Sequence, residues 1–291
     1  MPMRKLFIKA PEWVCISALS LLLANSTFSA SCAEKFRPGQ HLDLDVLKQM
    51  KLEQQILGRF LHFLAGRCSM QEPSRQEAKL LTASFIQDTN ETLVLADLAN
   101  AAQVKLAIYS SMPARDRVLW QALKVNCIEK IGKVSDDHIP FMLAAFNRPM
   151  NRKAKLRFST RAEILSRQQQ AHHVFDMYLA QADSFNVRAG NDNINGSAVT
   201  KPLLNGVNDI DVLADLAGGS YSKWSLYGST SRGENVLYEF LWNCVSLVAK
   251  HPKVEALDVT SYLHQLSTGG AATSEFLDAY ERVINGGSFR L

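Results

Sequence analysis

The sequence predicts a mainly α-helical protein, an irregular multi-helix bundle of roughly seven to nine helices with a long loop-rich segment. Three observations predict it. Apolar residues recur at three- and four-residue spacing along most of the chain. No run alternates with period two, and the spacing of a βαβ unit is missing. Helix start and stop residues punctuate the periodic stretches. The 291 residues are 47 % hydrophobic and 21 % charged, a globular composition that excludes disordered, collagen-like and coiled-coil classes.

The N-terminus has the three-part build of a secretory signal peptide. Arg4, Lys5 and Lys9 form a basic start, an apolar stretch runs over 14–24, and small residues follow at Ser29, Ala30, Ser31 and Ala33. The apolar stretch is too short for a membrane span, which takes about 20 residues. Cleavage is expected after Ala33, with Ser29 standing where a lipid-modified Cys32 would need an apolar neighbour. Residues 1–33 are therefore expected to be removed. Residues 34–291 are expected to form a single helical domain, with a possible internal boundary near 148–158. The predicted localisation is exported, periplasmic or secreted, with no transmembrane span after cleavage. Loss of three basic groups and Glu12 reduces the formal charge from +4 to +2, too little to imply a nucleic acid partner.

Asp45 can cap a first helix running to about Arg67, with Leu57, Phe60, Leu61, Leu64 and Cys68 on one stripe. Ser74 and Glu77 form a capping box for a second. Thr89 or Asn90 can open a third, through Tyr109, before Met112-Pro113 breaks it. A fourth is predicted over about 114–131, with Trp120, Leu123, Cys127 and Ile131 in register and Gly132 as its stop. A short fifth covers 137–146. Thr160 and Glu163 make a second capping box, opening a helix to about Asp183. The stretch 186–233, rich in Gly, Asn and Ser, is predicted to be irregular apart from an amphipathic piece over 209–216. Ser231 and Glu234 start a further helix that Pro252 stops, and two short helices over about 258–266 and 273–285 finish the chain. No fixed-period internal repeat is evident, which excludes a solenoid.

Candidate chemistry is sparse. His172, His173 and Asp176 are the only catalytic candidates. Their spacing lets both imidazoles approach one carboxylate on a helix, to orient a histidine base or contribute to a metal site. Adjacent histidines diverge by about 100° around a helix, and no further ligand is identifiable, so no metal or cofactor is assigned. The basic stretch Arg152, Lys153, Lys155 and Arg157 is the candidate binding surface, for another envelope or secreted protein or for an anionic envelope component. Export predicts an oxidising compartment, and Cys68 and Cys127 are the expected disulfide, with Cys244 able to replace either. Asn191 to Gly196 resembles the start of a calcium loop but lacks its first and last carboxylates. Ser220 and Lys223 fit S-x-x-K without the segments that accompany it in serine acyltransferases. There is no H-E-x-x-H, G-x-S-x-G, P-loop or dinucleotide fingerprint. The expected function is a non-enzymatic, exported helical binding or interaction protein of the cell envelope. The alternatives are a helical, possibly metal-dependent hydrolase of wall or lipid substrates and a structural subunit of an envelope assembly.

Overall fold

A computed structural model describes residues 44–67, 71–109, 111–134, 159–188, 196–227, 234–248 and 250–251. These contain eight helices and no strand: α1 (Leu44–Gly66), α2 (Arg75–Ile86), α3 (Thr92–Ile108), α4 (Ala114–Val134), α5 (Arg161–Arg188), α6 (Gly196–Leu203), α7 (Ile210–Tyr227) and α8 (Glu234–Val248). The mainly α fold is as the apolar spacing predicts. The signal segment, the short helix over 137–146, the boundary near 148–158 and the two C-terminal helices lie outside the described residues. No helix among the described residues is long and apolar enough to cross a membrane.

Local chemistry sets the ends. Ser74 caps α2 reciprocally: its hydroxyl accepts from Glu77 N at 3.2 Å, and its own N–H donates to the Glu77 carboxylate at 2.8 Å. Thr160 N donates likewise to Glu163 at 2.6 Å. Asp209 opens α7, accepting from Asp211 N at 2.9 Å while Arg167 donates to its other oxygen at 2.7 Å. Three expectations are corrected. The third helix starts at Thr92 behind Glu91, which makes no side-chain cap, rather than at Thr89 or Asn90. The fourth runs through Gly132 to Val134, because Gly132 does not take the left-handed conformation that ends a helix; Gly206 alone does so among the described residues. Most of the predicted irregular stretch is helical, as α6 and α7, the latter running straight through Gly218-Gly219.

Helix α1 packs on α3 and α5, and α7 packs on the same two helices, so these four form a ring. Outside it, α4 covers α2 and α3, and α8 covers α6 and α7. The second half thus repeats the first: α5–α8 have the order and neighbours of α1–α4. Each half meets the other through counterpart helices, α1 on α5 and α3 on α7, as at an isologous dimer interface.

The sequence carries the same duplication. Val94-Leu-Ala-Asp-Leu-Ala99 recurs as Val212-Leu-Ala-Asp-Leu-Ala217, and Lys105 and Tyr109 recur at the same offsets as Lys223 and Tyr227. Asn126-Cys127 recurs as Asn243-Cys244, and Thr82 as Thr200. Equivalent residues make equivalent bonds: Asn126 donates to Thr82 Oγ1 at 2.8 Å, and Asn243 to Thr200 Oγ1 at 2.6 Å. The expectation that the chain has no internal repeat is therefore corrected. It is a two-fold duplication, with too little retained identity to register as a periodic array.

The core follows from this arrangement. Phe60 packs edge-on to Trp120 at 4.7 Å and to Phe85 at 5.4 Å, joining α1, α4 and α2. Its counterpart Tyr178 packs on Phe240 at 5.3 Å, joining α5 and α8. Burial of each such ring contributes roughly 1.5–3 kcal/mol. The halves also compensate in volume. Phe175 stands where the first half has Leu57, and Gly219 where it has Ala101. A Cβ on Gly219 would lie 2.9 Å from the Phe175 ring, so the larger ring requires the glycine.

Candidate functional site

The duplication places two reciprocal ion pairs between α3 and α7. Lys105 bonds Asp215, and Lys223 bonds Asp97 at 2.7 Å, so each half supplies one lysine and one aspartate. Tyr109 donates to Asp215 at 2.9 Å; its counterpart Tyr227, raised in pKa by burial and by nearby Asp97, donates to Leu93 O at 3.5 Å. All four charged side chains are nearly solvent-free. Buried charges persist only when paired, and each lysine here holds the counterpart helix.

The symmetry breaks at Glu53. This fully buried carboxylate on α1 accepts from Lys223 at 2.7 Å, whereas the equivalent position on α5 is Ala171. One ammonium therefore sits between two carboxylates. Burial, helped by the nearby Glu53 charge and opposed by Lys223, raises the Asp97 carboxyl to about 7. Burial alone would lower the Lys223 pKa, but the two carboxylates outweigh it and raise it. Gln54 donates to Glu53 at 2.9 Å and links this trio to the surface.

That surface is a cleft of about 760 Å³ between α1 and α5, lined by Lys51, Gln54, Gln55, Gly58, Arg59, His172, Asp176, Leu179 and Ala180. It lies where the two counterpart helices cross. His172 Nε2 is 3.3 Å from Asp176 Oδ2. The ring sits directly against Gly58, where any Cβ would come within 2.7 Å of Nε2. Burial lowers the His172 pKa despite the Asp176 charge, so the ring is neutral at pH 7. Nδ1 is buried and has no hydrogen-bond partner, which fits a neutral ring with its proton on Nε2. Burial also raises the Asp176 pKa, opposed by the two histidines.

Of the sequence candidates, the structure brings His172 and Asp176 together and leaves His173 exposed on the same helix. No cluster of three or more His, Cys, Asp or Glu side chains able to hold a metal occurs among the described residues. Arg152, Lys153, Lys155, Arg157 and Cys68 lie outside the described residues. Cys127 and Cys244 are equivalent buried thiols, both pushed up in pKa by burial and therefore unreactive. Ser220 donates to Leu216 O at 2.6 Å and Lys223 to carboxylates, so S-x-x-K forms no serine–lysine pair. Sequence reasoning missed Lys51, Gln54, Gly58 and Arg59, which reach the cleft from a helix remote in the chain. It also missed the buried lysines. Their signal was an Asp and a Lys eight residues apart, repeated in two largely apolar helices.

Comparison with protein-family models, curated proteins and solved structures finds no match.

Proposed function

We propose that the protein is an exported, non-enzymatic helical binding protein of the cell envelope, and that it binds its partner at the α1–α5 cleft. The observation that supports this most is the cleft itself, a polar opening of about 760 Å³ between counterpart helices of the two halves. Positions that hold the fold together are shared: Asp97 with Asp215, Lys105 with Lys223, Tyr109 with Tyr227, Thr82 with Thr200 and Asn126 with Asn243. The polar positions lining the cleft differ, as do most positions of the two helices: Lys51 corresponds to Gln169, Gln54 to His172, Gly58 to Asp176 and Arg59 to Met177. A polar, open cleft with a few charged groups on its walls has the form of a recognition site. The signal segment supports export, and the partner is another envelope or secreted protein or an anionic envelope component. The basic stretch with Arg152, Lys153, Lys155 and Arg157 is a second contact in this proposal.

The His172–Asp176 pair favours a second reading, a helical hydrolase. It is the weaker one, because Nε2 is wedged between Asp176 and Gly58 and Nδ1 is buried, leaving no nitrogen open to a substrate proton. Native mass spectrometry of the protein from its own host tests the choice, with Arg59→Met and Asp176→Gly as controls. A retained partner that both substitutions release supports cleft binding, and a 2 Da loss of mass reports a disulfide. A bare protein that turns over a wall or lipid substrate and loses that activity in His172→Ala would replace it with the enzyme.

A further inference from the structure

The cleft lies between two counterpart helices, yet its walls carry opposite charge. The α1 wall presents Lys51 and Arg59. The α5 wall presents the half-exposed carboxylate of Asp176. Its near neighbour His172 is held neutral by burial and supplies no compensating charge at neutral pH. The α1 wall also carries the exposed amide of Gln55, which both donates and accepts, and the α5 wall the small apolar surface of Leu179 and Ala180. A site on a pseudo-two-fold axis with symmetric walls would treat both ends of a ligand alike. Here each charged position differs from its counterpart: Arg59 from Met177, Lys51 from Gln169, and Asp176 from Gly58. The ligand such a site distinguishes has two different ends, one cationic and one anionic.

We infer that the α1–α5 cleft binds a short peptide with free termini, its ammonium on Asp176 and its carboxylate on the Arg59 and Lys51 wall. This inference rests on the cleft-binding reading and names its ligand class. The exposed Gln55 amide matches the donor and acceptor pattern of a peptide group between the termini. A charge-assisted hydrogen bond at each end fixes the direction. Among the described residues of the lining there is no Phe, Tyr or Trp, and the one ring, His172, is held against Gly58, which suits small aliphatic side chains better than sugar rings or nucleobases, which stack. The volume of about 760 Å³ lies within the range of small-molecule clefts.

Isothermal calorimetry on the full protein tests it, with tri-alanine as the probe beside its N-acetylated and C-amidated forms. The expected result is saturable binding of tri-alanine, weakened about tenfold or more by blocking either end. Arg59→Met and Asp176→Gly, which install the other half's residue at exposed positions, separate the two ends. Arg59→Met should abolish discrimination against the amide only, and Asp176→Gly discrimination against the acetyl form only. Far-ultraviolet circular dichroism and the unfolding midpoint check that both variants fold. Equal affinity for blocked and free peptides, or no binding of tri-alanine, overturns the peptide assignment. If a partner captured from the host is still released by the two substitutions, cleft binding survives that failure. If it is not, both fall.

Discussion

The two halves of the molecule use the same buried lysine in different electrostatic settings. In one setting Lys105 meets a single carboxylate, Asp215, which also accepts from Tyr109, so charge is balanced. In the other, Lys223 meets Asp97 and Glu53, and the site carries one negative charge too many unless a carboxyl holds a proton. The first pair serves only to bind α3 to α7. The second also binds α1 and introduces a group, Asp97, that titrates near neutrality. A duplicated fold keeps its shared contacts for stability and alters single positions, here Ala171 against Glu53, to make one copy responsive to pH.

The largest effect should come from removing either lysine. Lys223→Met leaves two buried carboxylates without a cation and should cost about 3–5 kcal/mol in urea unfolding. Lys105→Met strands one carboxylate that keeps the Tyr109 bond, and should cost about 1 kcal/mol less. Equal losses would mean that Glu53 adds nothing to the asymmetry.

Glu53→Ala makes the second site resemble the first and sharpens the contrast through pH. The folded Asp97 pKa lies above its unfolded value, so its stabilising effect is full below about pH 4, declines as pH rises, and is gone above about pH 7. Removing Glu53 takes away a like charge, so Asp97 ionises at lower pH and the decline should shrink and end earlier. Unfolding midpoints measured from pH 4 to 8 would show this. An unchanged profile would mean that Glu53 does not govern the titration.

The volume compensation predicts a coupling. Gly219→Ala should cost about 1–3 kcal/mol by driving a Cβ into the Phe175 ring. Adding Phe175→Leu, the first half's residue, should recover most of that loss, and strict additivity of the two would exclude the contact. The smallest effect is expected at Gly132, where a Cβ meets nothing within 4 Å. Gly132→Ala should stabilise by up to about 1 kcal/mol through helix propensity alone.

Amphipathic spacing exposed α1, and the reciprocal hydrogen bonds of Ser74 with Glu77 and Thr160 with Glu163 exposed two helix starts, because such signals are local. Helix α7 was legible only in its first part, the amphipathic piece over 209–216. Gly218, Gly219 and Ser220 disfavour a helix in isolation, but burial on nearly every face overrides that preference. The duplication was hidden for a related reason. Buried pairing needs only a few fixed residues, Asp, Lys, Tyr, Thr and Asn, and the intervening apolar positions exchange freely at similar volume. Half of the cleft was legible in His172 and Asp176. Lys51, Gln54, Gly58 and Arg59 were not, since nothing on α1 indicates that α5 lies across from it.

The central claim, that recognition occurs where α1 crosses α5, is tested most directly by amide hydrogen exchange on the protein with and without tri-alanine. The account predicts added protection over residues 51–62 and 169–180. Protection confined to residues 148–161, or no change in either helix, would contradict it.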